Sequence, residues 1–451
     1  MSVASNRPEP TAVEHVVAPD ELFFSTTDRR GVIRSANSVF VRIAGYDHEH
    51  LVGRPHNIVR HSSMPSGAFH VMWQRLLAGQ PMAAYVRNLA ADGGSYWVFA
   101  TITPFGDGFL SVRSAPLTTM FDTVRDVYAR VLAAEQQHAA DGHHRAEVAR
   151  HGAALIEREV RRLGYPSYEA LMYDALALEV AERNAIVRPH SDRPEATGDA
   201  AEVLDAVREM HHALDGLDQH IVRYADLVGR IAPVSIELLD NARELEAVAE
   251  HAADVSEQSE AATLRNSARV MRHPMHEAVV ALELLAADLG EVLHALRRER
   301  FSISVARLHA EMTGVFAAES VDGLAPEDSL GEVPALSTAM ADDVREMLAG
   351  SSSLNGRLHT VAERVRSAHE LTDRFGFFLT EWERMAIRKI PDVPLTPIVG
   401  PVEQHLRAGR DQLAQLQQLA EALRAASASF DVARFETPLS RINTLTTPTP
   451  A

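Results

Sequence analysis

The sequence predicts an α+β unit near the N-terminus, a five-stranded antiparallel sheet with short helices, followed by a long all-α, coiled-coil region. Three observations predict it. Between Glu21 and Arg113 short β-rich runs alternate with turn residues in the order strand, strand, helices, three strands. From Leu117 onward β-rich runs become rare and apolar residues recur at three-four spacing. Further along, that spacing settles into a sustained heptad seam.

The elements follow in chain order. A first strand covers Leu22 to Thr27. Asp28-Arg29-Arg30-Gly31 supplies turn chemistry, with Gly31 free to take a positive φ, before a second β-rich run at Val32-Ile33-Arg34. Asn37 is an N-cap candidate for a helix whose apolar face is Val39, Phe40 and Ile43, and Gly45 ends it as a left-handed cap. Short helices come next. Met82 to Asn88, Tyr96 to Thr103 and Phe109 to Arg113 form the last three strands, with Ala91-Asp92-Gly93-Gly94 as a hairpin loop.

The chain then turns helical. Met120 to Asn184 reads as three helices, the first with an apolar stripe of Phe121, Val124, Val127, Tyr128, Val131 and Leu132, suited to carry a signal away from the sheet. The loop holding His138, Asp141, Gly142, His143 and His144 has no carboxylate spacing that would make a metal site, and a solvated loop explains it. Pro189 to Thr197 is a linker. Met340, Val344, Met347, Ser351, Leu354, Leu358, Val361, Val365, Ala368, Thr372, Phe375, Leu379 and Trp382 alternate four-three without a slip. Upstream, Met275, Val279, Leu282, Ala286, Leu289, Leu293 and Leu296 do the same, and Phe301, Val305, Leu308, Met312 and Val315 resume after a phase shift. Ser320 to Pro334 cannot continue a helix, so two arms fold back as an antiparallel hairpin. An intramolecular hairpin and a dimeric four-helix bundle both satisfy this pattern. The expected organisation is a disordered leader at 1–20, the α+β unit at 21–115, a helical connector at 116–188, a linker at 189–200, the hairpin at 201–390, a C-terminal helical segment at 391–440 and a disordered tail at 441–451.

Composition narrows the function. The 451 residues are 46% hydrophobic, enough for two or more domains, yet no apolar run has the length of a membrane span. No secretory signal is evident, and a soluble cytoplasmic protein without membrane insertion is expected. Zero cysteines exclude disulfides, thiol redox sensing and cysteine-ligated metals. A formal charge of −18 argues against nucleic acid as a partner. No phosphate-cradling loop, paired-histidine zinc helix or kinase signature is present, so an enzyme is not expected.

The segment Pro55-His56-Asn57-Ile58-Val59-Arg60-His61, followed by Met64-Pro65, Phe69, Met72 and Trp73, offers donors beside an aromatic wall, as a large planar ligand requires. Together with Ser25-Thr26-Thr27-Asp28, Ala36-Asn37, Phe40, Gly45-Tyr46, Gly53-Arg54, Val86, Asn88 and Tyr96-Trp97-Val98, it resembles the flavin-binding PAS domain of bacterial aerotaxis receptors. The resemblance covers about a fifth of the chain with a specific motif set. It implies FAD held noncovalently between the central helices and the sheet, with Asn37, His56, Asn57, Arg60, His61, Trp73 and Asn88 as candidate cofactor-binding residues. Trp73 would cover a ring face, Asn88 and His61 would bond the ring edge, and Arg60 would suit the pyrophosphate or the reduced ring's charge. Where that family carries an acidic residue before the Met-Pro pair, this chain has Ser63. A haem-binding PAS domain with an axial histidine is the alternative cofactor reading.

A second stretch, Met340-Ala341-Asp342-Asp343-Val344-Arg345-Glu346-Met347, looks like the returning arm of a chemoreceptor signalling hairpin. Val305-Ala306-Arg307-Leu308-His309-Ala310-Glu311-Met312-Thr313-Gly314 is similar to the outgoing arm near its tip. The tip departs from that family, with His309, Met312 and a Pro/Gly-containing loop in place of the kinase-contacting turn. The resemblances imply a redox or oxygen sensor that signals through helices as a homodimer, toward a chemotaxis kinase, its coupling protein or another signalling protein. A cofactor-free dimerisation scaffold is the reading from another class.

Overall fold

A computed structural model describes residues 8–324, 329–395, 402–426 and 431–446. Five strands, β1 Phe23–Asp28, β2 Ile33–Ala36, β3 Met82–Leu89, β4 Ser95–Phe105 and β5 Gly108–Ser114, form one antiparallel sheet in the order β2-β1-β5-β4-β3. Between β2 and β3 lie α1 Ser38–Ala44, α2 His48–Leu51, a 3₁₀ turn at His56–Val59 and α3 Ser66–Leu77. The helical remainder comprises α4 Met120–Ala140, α5 Arg145–Arg162, α6 Tyr168–Ile186, α7 Gly198–Glu257, α8 Ala262–Val321, α9 Val333–Lys389, α10 Val402–Ala426 and α11 Ala433–Thr446. The chain divides into two compact units. The first is Met1–Gly216, Arg300–Met347 and Asp431–Ala451, and the second Leu217–Glu299 and Leu348–Phe430.

Side-chain alternation gives the sheet two apolar faces. In the first unit Phe23 stacks on Tyr96 and contacts Phe40, on the face covered by the short helices. On the other face Phe121 of α4 packs on Tyr85 and Trp97 at 5.7 and 5.1 Å, and Phe316 of α8 meets Phe24 edge-on at 5.4 Å. Burying Glu179 of α6 there is made tolerable by four donors: Tyr85 Oη, Leu117 N, Thr118 N and Thr118 Oγ1.

Residues 301–306 and 308–318 of α8 are buried on every side of the helix, so apolar residues run all round this stretch and its polar members, among them His309 and Glu311, are paired inside the fold. His309 and Asp343, from the two receptor-like segments, meet within it at 2.6 Å.

Four helical stretches make the second unit. Pairs between Asp288 and Arg364, Glu291 and Arg357, and Glu299 and Ser351 run in opposite numerical directions, so α8 and α9 are antiparallel. Arg243–Glu283 and Glu246–His276 set α7 against α8 in the same sense, and Tyr224 Oη and Asn241 Nδ2 donate to the carbonyls of Ala426 and His405 on α10. The result is a four-helix bundle within one chain, built on the expected α8/α9 hairpin with α7 and α10 added. Every residue of the Met340 to Trp382 seam is buried.

Several expectations are corrected. The upstream seam passes through Leu285 and Val292, while Ala286 is exposed and Leu293 half-buried, because α8 serves two neighbours and needs a wider stripe than a two-helix seam. Residues 8–20 of the expected leader are built into the fold: Thr11 N donates to Gly93 O, Ser95 N to Val13 O and His15 N to Ser95 O, extending the β3–β4 hairpin, and Val17 is buried, while residues 1–7 lie outside the described residues. Residues 441–446 belong to α11 rather than to a tail, held by Ser337–Asn443 and Arg441–Glu209 bonds; the rest of the expected tail lies outside the described residues. Pro334 sits in the first turn of α9, where a missing N–H costs nothing, and residues 325–328 of the expected break also lie outside the described residues.

Candidate functional site

A cavity of about 220 Å3 lies between α3 and the inner sheet face. Period-two alternation brings Val86 and Asn88 of β3, Ala100 and Ile102 of β4, and Phe109, Ser111 and Arg113 of β5 to one side of it. Helical spacing brings Phe69, Met72, Trp73 and Leu76 of α3 to the other. Trp73 meets Phe109 edge-on at 5.8 Å and its ring lies so close to Gly31, at φ +77°, that an added Cβ would meet it at 3.2 Å. Only glycine satisfies both the turn and the ring there.

The polar wall is mostly buried. Arg113 Nη2 donates to Ser25 Oγ at 2.9 Å and lies 2.7 Å from His56 Nε2, which must accept because a guanidinium only donates. Burial, then the Arg113 charge, pushes the His56 pKa down to about 3, so the imidazole is neutral at physiological pH. Arg60 lies over the Phe69 ring at 3.9 Å and donates to Met64 O.

Of the expected site residues, His56, Asn57, Arg60, Trp73 and Asn88 line this cavity. Asn37 and His61 do not. Asn37 is spent inside the fold: its Oδ1 accepts from Phe40 N and Phe24 N, capping α1, and its Nδ2 donates to Leu22 O. His61 is held by Ser63, whose hydroxyl lies 2.7 Å from Nδ1 and whose backbone N donates to the same atom. Ser63 also accepts from Arg87, so the hydroxyl in the acidic position closes a loop-to-β3 link. Residues not anticipated are Thr27, Arg30, Ser111 and Arg113. Arg113 left one signal in the sequence, a charge in register with Phe109 and Ser111 on one face of a strand.

The cavity wall is fastened to the connector. The α3 N-terminus has no cap of its own, and Glu135 of α4 supplies one, accepting from Ser66 N, Ser66 Oγ and Gly67 N at 2.7 to 2.8 Å. A Cβ on Gly67 would meet the Gly152 backbone of α5 at 2.3 Å, so the two helices touch backbone to backbone. Arg75 near the other end of α3 pairs with Glu169 of α6 at 3.0 Å.

The family model described as the PAS fold matches residues 33–109. The aerotaxis receptor of Escherichia coli (strain K12) is 36% identical over 129 residues, 28% of this chain and 26% of that protein. A nitrogen fixation regulatory protein of Klebsiella pneumoniae is 39% identical over 80 residues, 18% of this chain and 16% of its own length. The chain thus spans about a quarter or less of the curated relatives it matches. Among solved structures, the PAS domain of a Colwellia psychrerythraea protein is similar at 22% identity, covering 21% of this chain and 85% of that one, with a TM-score of 0.19. No described helix is long and apolar enough to cross a membrane. A five-stranded antiparallel sheet in this order, with its cavity under α3, and a family match over the same residues identify the N-terminal α+β unit as a PAS domain, followed in this chain by a long helical region.

Proposed function

We propose that this chain is a non-enzymatic cytoplasmic redox or oxygen sensor of the aerotaxis type, in which the PAS cavity holds FAD. The observation that carries the reading is the cavity's composition: an apolar α3 wall of Phe69, Met72, Trp73 and Leu76 faces a sheet wall in which Val86 and Phe109 stand beside buried Asn88, Ser111 and Arg113. A flat ring system with one polar edge matches that division. At about 220 Å3 the cavity is smaller than the roughly 300–1,000 Å3 of pockets that enclose whole ligands, so it suits the flavin ring with the rest of the dinucleotide outside. Arg30 and Asn57, exposed at the cavity, would meet that part. Bound FAD would supply reversible electron transfer, which a chain without cysteine lacks. Haem is less well served, because His56 Nε2 already accepts from Arg113 and His61 lies off the cavity wall.

The signal would leave by α4, through its contact with the sheet and through Glu135 on α3, and pass into the helical hairpin; a homodimer and a chemotaxis kinase or coupling protein are the partners this implies. The cofactor-free scaffold is the weaker reading. It gives no role to the cavity under α3 or to the buried polar groups that line it. The purified full chain should be yellow and release FAD on heating, and Asn88→Ala or Arg60→Ala should lower flavin content while helical circular dichroism persists. A colourless protein that takes up no added FAD defeats the proposal.

A further inference from the structure

Three arginines, Arg30, Arg60 and Arg113, line the cavity, and no carboxylate does. They differ in how their charge is met. Arg30 is exposed and pairs with Asp28, and Arg60 lies on the Phe69 ring. Arg113 is only 5% exposed, its bonded partners Ser25 and His56 are both neutral, and among the described residues no carboxylate pairs with it. Its Nη1 is buried without a hydrogen-bond partner. The Phe40 ring, 5.2 Å from Cζ, is the remaining attraction, and burial holds the nearby Tyr96 phenol protonated. Burial lowers the Arg113 pKa only to about 10, so the group stays charged at neutral pH.

An unpaired buried charge is costly, and its removal should relieve the protein unless something else binds it. We infer that Arg113 is the charge partner of the cavity's ligand: the bound molecule presents negative charge to the free face of this guanidinium. The inference rests on the flavin reading and sharpens it. Bound FAD would supply a two-electron couple: a quinol-class donor giving up two electrons and two protons would leave both electrons and one proton on the ring and the second proton in solvent, so that the reduced form would bring one negative charge to Arg113. Arg113 favours that reduced form over the neutral oxidised one and so raises the flavin potential. Arg113 is thus a tuning residue for the site, a role sequence reasoning had given to Arg60.

The test is redox titration of the FAD-loaded full chain as wild type, Arg113→Lys, Arg113→Met and Arg113→Gln, with thermal melts of the flavin-stripped proteins. The neutral variants should lose at least tenfold of the preference for reduced over oxidised flavin, about 30 mV more negative for a two-electron couple, with Arg113→Lys closer to wild type. Stripped of flavin, the neutral variants should melt no lower than wild type. Equal midpoints overturn the inference and leave the flavin reading standing. A lower melt of the stripped variants, or failure of both neutral variants to fold, also overturns it, since Arg113 would then be a structural tie between Ser25 and His56. Wild type that takes up no flavin overturns the flavin reading and this inference with it.

Discussion

The two units bury their polar groups in different ways. In the PAS-containing unit, carboxylates sit deep and act as hubs: Glu135 caps α3, Glu179 gathers donors from β3 and the α4 entry, and Glu311 faces His190, His211 and Arg183. Those contacts lower the Glu311 pKa to about 2 in spite of its burial. In the second unit the interior is a stripe of Leu, Val, Met, Phe and Trp, and most charges form pairs along the helix edges, as Arg243–Glu283 and Arg357–Glu291 do. Edge pairs of this kind are worth little each, while a deep hub leaves several groups unsatisfied when it is lost. The bundle is therefore held mainly by packing, with a few buried hydrogen bonds such as Ser351–Glu299 and Trp382–Ser256, and the PAS-containing unit by packing plus multi-partner carboxylates.

The sharpest way to break this comparison is a charge in the apolar seam. Leu358, 3% exposed in α9, should not accept Leu358→Asp without losing about 3–5 kcal/mol or more, seen as an early melt of helical circular dichroism. Flavin absorbance should outlast that melt; if the two vanish together, the units unfold as one body and the contrast fails. Next in size is Glu135→Ala, which strips Ser66 and Gly67 of their acceptor at a cost of about 2–4 kcal/mol. The PAS-containing unit should melt earlier and lose the proposed flavin faster, whereas an unchanged retention would mean that α3 keeps its place without the connector. The smallest effect is acidification. The His56 pKa is about 3 in the fold against an ordinary 6.5, so between those values the unfolded chain binds more protons and stability falls as pH falls; above about 6.5 the contribution is complete. Its slope stays below the one-proton limit of about 1.4 kcal/mol per pH unit because His56 is partly exposed, and His56→Gln should flatten it in denaturant melts.

Local chemistry was readable wherever it acts locally. Asn37 caps α1, Gly45 takes φ 69°, the five strands fall within a residue or two of their β-rich runs, and the heptad residues from Met340 to Trp382 are all buried. Each depends on a side chain and its neighbours within a turn or a strand pair, so the order of residues determines it. The tertiary structure decided what those elements surround. Asn37 could not be told from a ligand-binding amide until its oxygen was found engaged by Phe24 and Phe40, and Arg113 could not be placed in the cavity until β5 was set between β1 and β4. The leader's pairing with β4 joins residues some eighty positions apart, and the α7 and α10 sides of the bundle join helices distant in the chain. Periodicity says which face of an element is apolar; which partner meets that face, and which buried charge is left for a ligand, is a property of the packed molecule alone.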